Sequence, residues 1–186
     1  MNTIKKYFSY EKEEYLRILD DILLEEVMYL IIEDVVSKIR CDSGTTLSMA
    51  LVLDDVTYIV NIGDSRIYRI RKNKMKKITT DHSYVEKLIQ DGEITREEAY
   101  NHPKKNLLIK ALGTDEEVEP DMIYTVLNKN DILIICSDGL TNMLREEKIL
   151  SIVKDNTEED VTNVLVDEAN NAGGLDNITV IVIDNR

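Results

Sequence analysis

Residues 10–40 contain no Gly or Pro, and apolar side chains recur at Leu16, Leu19, Leu23, Val27, Leu30, Ile31 and Val35. That spacing is helical and predicts one long helix or two helices with a slight break. From Thr46 the period drops to two. The runs TLSMALVL and VTYIVNI flank Asp54-Asp55, and RIYRIR and MKKIT flank Lys72-Asn73-Lys74, so each pair predicts a β-hairpin. Two short helices follow. Ser83 with Glu86 and Thr95 with Glu98 have capping-box spacing, Gly92 stops the first helix and Pro103 closes the region. Strand-like runs return at Leu107–Ala111, Met122–Val126 and Ile132–Cys136. Helices are predicted around 145–154 and 158–171, the second opening at Thr157 with Asp160 and carrying Val161, Val164, Leu165 and Ala169 on one face. Gly173-Gly174 ends it, and ITVIVID is a final strand. This order argues an α+β fold, a layered sandwich, in a single domain over residues 1–186.

Composition narrows the partners. The chain has 186 residues and is 43% apolar, enough for one domain with a core. A net charge of −13 with no basic run argues against nucleic acid. Cys41 and Cys136 are expected as buried thiols rather than a disulfide, which suits a reducing compartment. No stretch approaches the roughly 18 apolar residues that span a bilayer. The first residues lack the apolar core of a signal peptide, so no membrane and a cytoplasmic location are expected.

The chemistry sits where strands end. A strand buried on both faces cannot hold an aspartate mid-run, so the charge emerges at its terminus. Asp138 follows Ile132–Cys136, Asp176 precedes Ile178–Ile183, Asp81 follows Met75–Thr79 and Asp64 follows Val56–Ile62. If these strands are neighbours, some of the carboxylates converge, and converging carboxylates call for a hard cation such as magnesium, manganese or calcium. Gly139 and Gly174 permit close approach or positive φ. Singly, each aspartate also reads as an ordinary turn residue, and Asp176-Asn177 as an Asx-turn.

The segments SGTTLSMAL, VNIGDSRIYRI, ITTDHSYVEKLIQDGEIT, NHPKKNLLIKALG, NDILIICSDGLTNML and ANNAGGLDNITVIVI occur in this order. Together, over residues 43–184, they resemble the type 2C metal-dependent protein serine/threonine phosphatases in their bacterial form. The resemblance implies a two-sheet antiparallel β-sandwich flanked by helices. It implies removal of phosphate from phosphoserine and phosphothreonine proteins, with manganese or magnesium ions that acidify water and neutralise phosphoryl charge. By position Asp138 and Asp176 match ligands of one ion and Asp81 an aspartate of a third. Residues 83–105 match a flap beside the active site. Asp64, Gly139 and Asn177 match structural or near-site positions, and His82 and His102 are read as structural.

The resemblance has a departure. The family's opening segments, Arg-x-x-Asn-x-Asp with its phosphate-binding arginine and Asp-Gly-x-Gly-Gly-His with its bridging aspartate, find no match here. No Gly precedes Gly44 and no His precedes His82. Asp20 and Asp21, in YLRILDD, are the candidate substitutes, although helical spacing continues past them. Arg17 and Arg40 fall in the same helical stretch. Two classes of function follow: a phosphatase of low competence, N-terminally shortened, or a catalytically impaired pseudophosphatase acting as a binding module. The shortening also predicts an exposed sheet edge through which a second copy can pair.

Overall fold

A computed structural model describes residues 29–32, 44–53, 56–114, 118–156 and 160–185. The chain divides into two compact units, Met1–Cys41 and Asp42–Arg186. In the first, residues 29–32 are helical, with Ile32 buried and Leu30 exposed. The rest of the helical expectation for 10–40, together with Arg17, Asp20, Asp21, Arg40 and Cys41, lies outside the described residues.

The second unit is built on seven strands and five helices among its described residues. In chain order these are β1 (Leu47–Leu53), β2 (Val56–Ile62), β3 (Arg66–Arg71), β4 (Lys74–Lys77), α1 (Tyr84–Gln90), α2 (Arg96–Tyr100), β5 (Asp121–Val126), β6 (Ile132–Cys136), α3 (Asp138–Thr141), α4 (Glu146–Asp155), α5 (Val161–Asn171) and β7 (Val180–Asp184). They form two antiparallel sheets, β1-β2-β5 and β4-β3-β6-β7. The predicted two-sheet α+β architecture is the one observed.

Strand β6 explains its own uninterrupted apolar run. Leu133 and Ile135 point to the inter-sheet core, beside Ile59, Ile67, Leu127 and Ile123. Ile132, Ile134 and Cys136 point the other way, under Leu140, Leu144, Ile149, Ile152 and Leu165 of the helical layer. With both faces covered, no polar residue is tolerated until the strand ends. Each such fully buried Ile or Leu contributes about 2 kcal/mol. Cys136 lies at the bottom of this layer as a buried free thiol, pushed up to about 12 by burial.

Several local expectations are corrected. The β3–β4 turn is a two-residue hairpin with Lys72 and Asn73 both left-handed (φ 48° and 61°), as a type I′ turn requires. Leu107–Ala111 is not a strand: it makes only the isolated bridge Ser83↔Leu108, beside the separate bridge Thr45↔Leu112. Helix α5 starts at Val161 with Asp160 as N-cap, and Thr157 lies outside the described residues. Thr95 and Glu98 form the full reciprocal capping box. At Ser83 only half of it forms, because the Glu86 carboxylate is drawn to Lys77 at 3.2 Å.

Candidate active site

Strand ends bring the aspartates to one side of the sandwich, and backbone contacts fix where they sit. After β2 the chain turns through Gly63, whose φ of 102° and close contact with the Thr46 side chain admit only glycine. The Gly63 amide donates to His82 Nδ1 at 3.1 Å, and the His82 amide donates to the Gly63 carbonyl at 2.9 Å. An amide can only donate, so Nδ1 is the acceptor and the ring proton resides on Nε2, 3.0 Å from an Asp121 oxygen. His82 is thus a buried strut between the β2–β3 turn and β5. His102 Nδ1 accepts from the Lys104 amide at 3.1 Å and likewise serves local structure.

The end of β6 is bolted to the start of β7. The Ser137 amide donates to the Thr179 carbonyl at 3.0 Å, the Thr179 amide donates to Ser137 Oγ at 3.1 Å, and that hydroxyl donates to the Asn177 carbonyl at 3.2 Å. Gly139 then packs on the Asn177 peptide so closely that a Cβ would fall on its carbonyl oxygen. Asp138 and Asp176 therefore flank a contact that only glycine allows. The Asp176 carboxylate accepts from the Asn177 amide at 2.7 Å, the local turn expected of Asp-Asn. Asp138 accepts from Asn142 Nδ2 at 3.0 Å. Burial and then the Asp176 charge raise the Asp138 carboxyl above its ordinary value.

Asp64 belongs to the same group, although its sequence position suggests a structural role. Burial, then the charges of Asp138 and Asp81, push it up to about 6. Asp81 is differently placed. Arg66 donates to one of its oxygens through Nε at 2.8 Å and Nη2 at 2.6 Å, and Lys77 reaches the other at 3.0 Å. Burial opposes the Arg66 charge, but the adjoining Asp81 carboxylate outweighs it and holds the guanidinium protonated.

Asp64, Arg66, Lys77, Asp81, Asp138 and Asn142 line a cleft of about 480 Å³, completed by residues of the segment 83–105 and of the start of α4; Asp176 is not part of its lining. The roof is tied down. Tyr100 hydroxyl donates to the Asn142 carbonyl at 2.9 Å, Arg145 lies over the Tyr100 ring at 3.6 Å, and Arg145 grips Glu97 with two bonds of 2.7 and 3.0 Å. Sequence reasoning missed Arg66, Lys77, Tyr100, Asn142 and Arg145. Arg66 lies 15 residues from Asp81, Tyr100 lies 42 from Asn142 and Arg145 lies 48 from Glu97, beyond any local spacing; Lys77 and Asn142 lie four residues from Asp81 and Asp138 respectively, a spacing that could have flagged them.

The donor set fits a hard cation in part. Asp138 and Asp176 are oxygen donors whose mutual repulsion a divalent ion would relieve. Asp81, spent on Arg66 and Lys77, does not fit a ligand role in this arrangement. Among the described residues no three His, Cys, Asp or Glu side chains form a metal-holding group.

Comparison with known proteins places the family. The family model for protein phosphatase 2C matches residues 2–168. A serine/threonine phosphatase stp from Listeria innocua is 42% identical over 142 residues, covering 76% of this chain and 56% of the relative, so the chain spans little more than half its length. The S. agalactiae serine/threonine phosphatase structure superposes with a TM-score of 0.80 at 36% identity, over 89% of this chain and 72% of that one. The catalytic domain of the serine/threonine protein phosphatase PstP, in complex with two manganese ions, gives 0.71 at 33% identity, over 83% and 65%. A match running through nearly the whole chain, carried on the same pair of antiparallel sheets, shows that this chain belongs to the protein phosphatase 2C family in its bacterial form.

Proposed function

We propose that this chain works in the metal-dependent removal of phosphate from phosphoserine and phosphothreonine in proteins, with Asp138 and Asp176 holding a manganese or magnesium ion. The observation that carries this reading is the Gly139–Asn177 contact. It brings the Asp176 charge to bear on Asp138, whose carboxyl is raised by burial and by that charge despite the Arg66 guanidinium. A bound divalent ion supplies acidified water and neutralises phosphoryl charge. The protein's own groups shape the rest. Segment 83–105 acts as a flap that restricts water, Asn142 orients Asp138, and the Arg66–Asp81 pair fixes the cleft floor. Asp64 lends a further negative charge beside the ion.

The test is turnover of p-nitrophenyl phosphate or a phosphothreonine peptide with excess manganese, beside Asp138→Ala. The expected result is slow turnover that vanishes in the variant, because an ion held by two carboxylates from one side is weakly bound and mobile. Equal background in both proteins sinks the phosphatase reading for this chain. A second reading, an impaired binding module, is favoured by one observation: both oxygens of Asp81 are engaged by Arg66 and Lys77. That module would hold a phosphopeptide in the cleft without consuming it. For self-association the proposed edge is β7, where Ile181 is half exposed; gel filtration of a β7-edge lysine variant tests it.

A further inference from the structure

We propose that Tyr100, with Arg145 against its ring, is a positioning residue that couples the flap to the Asp138 carboxylate through Asn142. The inference rests on reading Asp138 as the metal-site aspartate.

One residue, Asn142, faces both ways. Its carbonyl accepts the Tyr100 hydroxyl at 2.9 Å, and its side-chain amide donates to Asp138 Oδ2 at 3.0 Å. Its own amide also donates to the Asp138 carbonyl at 2.7 Å, so the peptide that meets the flap belongs to the one-turn helix that begins at Asp138. Motion of Tyr100 away from the cleft therefore pulls on the turn that aims the carboxylate. The reverse also holds, since coupling between two sites is reciprocal.

Magnitudes decide which contact matters. The Arg145–Glu97 pair is exposed on both sides, and such pairs contribute little. Tyr100 is half-buried and carries more. Its hydroxyl has a defined acceptor, and its ring has Arg145 at 3.6 Å and Lys105 Nζ at 5.3 Å. Elsewhere the flap is held by its own helices, by the Tyr84 amide on the Leu107 carbonyl at 2.8 Å and by Lys77 on Glu86 at 3.2 Å. Those bonds do not reach Asp138. Tyr100 is the place where flap position and carboxylate position become one variable.

The experiment is hydrogen exchange by mass spectrometry on the full chain, without metal and then with manganese. Tyr100→Phe removes only the hydroxyl. It is expected to speed exchange in residues 96–105 about five-fold, the worth of one hydrogen bond, and to speed exchange at 139–143 in step. Tyr100→Ala exceeds it, and Glu97→Gln changes little. Faster exchange in 96–105 with 139–143 unchanged overturns the coupling, as does no change in either segment. Melting curves establish that each variant is folded. In the manganese arm, the ion slows exchange of 96–105 in the wild type and loses that effect in Tyr100→Phe. If calorimetry shows no manganese binding to the wild type, the metal reading of Asp138 fails, while the metal-free exchange still decides the latch.

Discussion

Strand β6 has an aspartate beyond each end, one buried and one half-buried, and the two are opposites. Asp131, just before Ile132, is saturated. Arg71 donates to it through Nε at 2.9 and 3.0 Å and through Nη2 at 2.5 Å, and the Asn128 amide adds a bond of 2.7 Å. The Arg71 bonds hold its carboxyl below the ordinary carboxylate range. Asp138, two residues past Cys136, has Asn142 as its side-chain donor and a second carboxylate nearby, so it lies above that range. The same residue type, at two ends of one strand, is in one case finished and in the other left wanting a cation. A carboxylate that the fold stabilises by itself is architecture. One that the fold crowds and leaves unpaired is a site for something from outside.

Four experiments bear on that contrast, the largest effect first. Gly139→Val should destabilise the protein by about 3 kcal/mol and end manganese binding, because the side chain meets the Asn177 peptide backbone. Denaturant melts with calorimetry read both, and a stable variant would show that the β6–β7 junction yields easily. Asp131→Asn should cost about 2 kcal/mol in the same melts, since it leaves Arg71 without its charged partner. Asp138→Asn should do the reverse and stabilise the metal-free protein by about 1 kcal/mol, by relieving burial and repulsion. If both asparagine variants lose stability alike, the contrast between the two ends collapses.

The smallest effect is in pH. Asp64 has a folded value of about 6 against an ordinary 3.8, so the folded state holds its proton more tightly than the unfolded chain. Stability from this group is therefore greatest below about pH 4, falls as pH rises to about 6 and is level above. Allowing for its partial exposure, the loss is on the order of 1 kcal/mol. Melting metal-free wild type beside Asp64→Asn from pH 4 to 7 should show the extra decline in the wild type alone.

Much of this was legible in the chain. The bounds of β2, β3 and β6 follow from alternation and turn chemistry, and Asp138 from the rule that a doubly buried strand sheds charge only at its end. Leu107–Ala111 misleads because its apolar run makes one isolated bridge, at Leu108, rather than a ladder. Glu86 misleads because capping competes with a distant lysine that spacing cannot reveal. Asp64 reads as structural in sequence, and only the field of Asp81 and Asp138 shows its place in the site. Tyr100 and Arg145 had no signal, since their partners lie 42 and 48 residues away, whereas Asn142 stands four residues after Asp138, a spacing that could have been read.

The contact between Gly139 and Asn177 also sets an order of events during biosynthesis. Asp138 leaves the ribosome well before Asp176, and β6 can pair with β3 as soon as both are exposed. Until β7 docks along β6, the Asp176 charge is not fixed beside Asp138. The nascent chain therefore has no assembled Asp138–Asp176 pair. If that pair holds the ion as proposed above, uptake waits on the docking of one strand, and ion binding reports completed assembly.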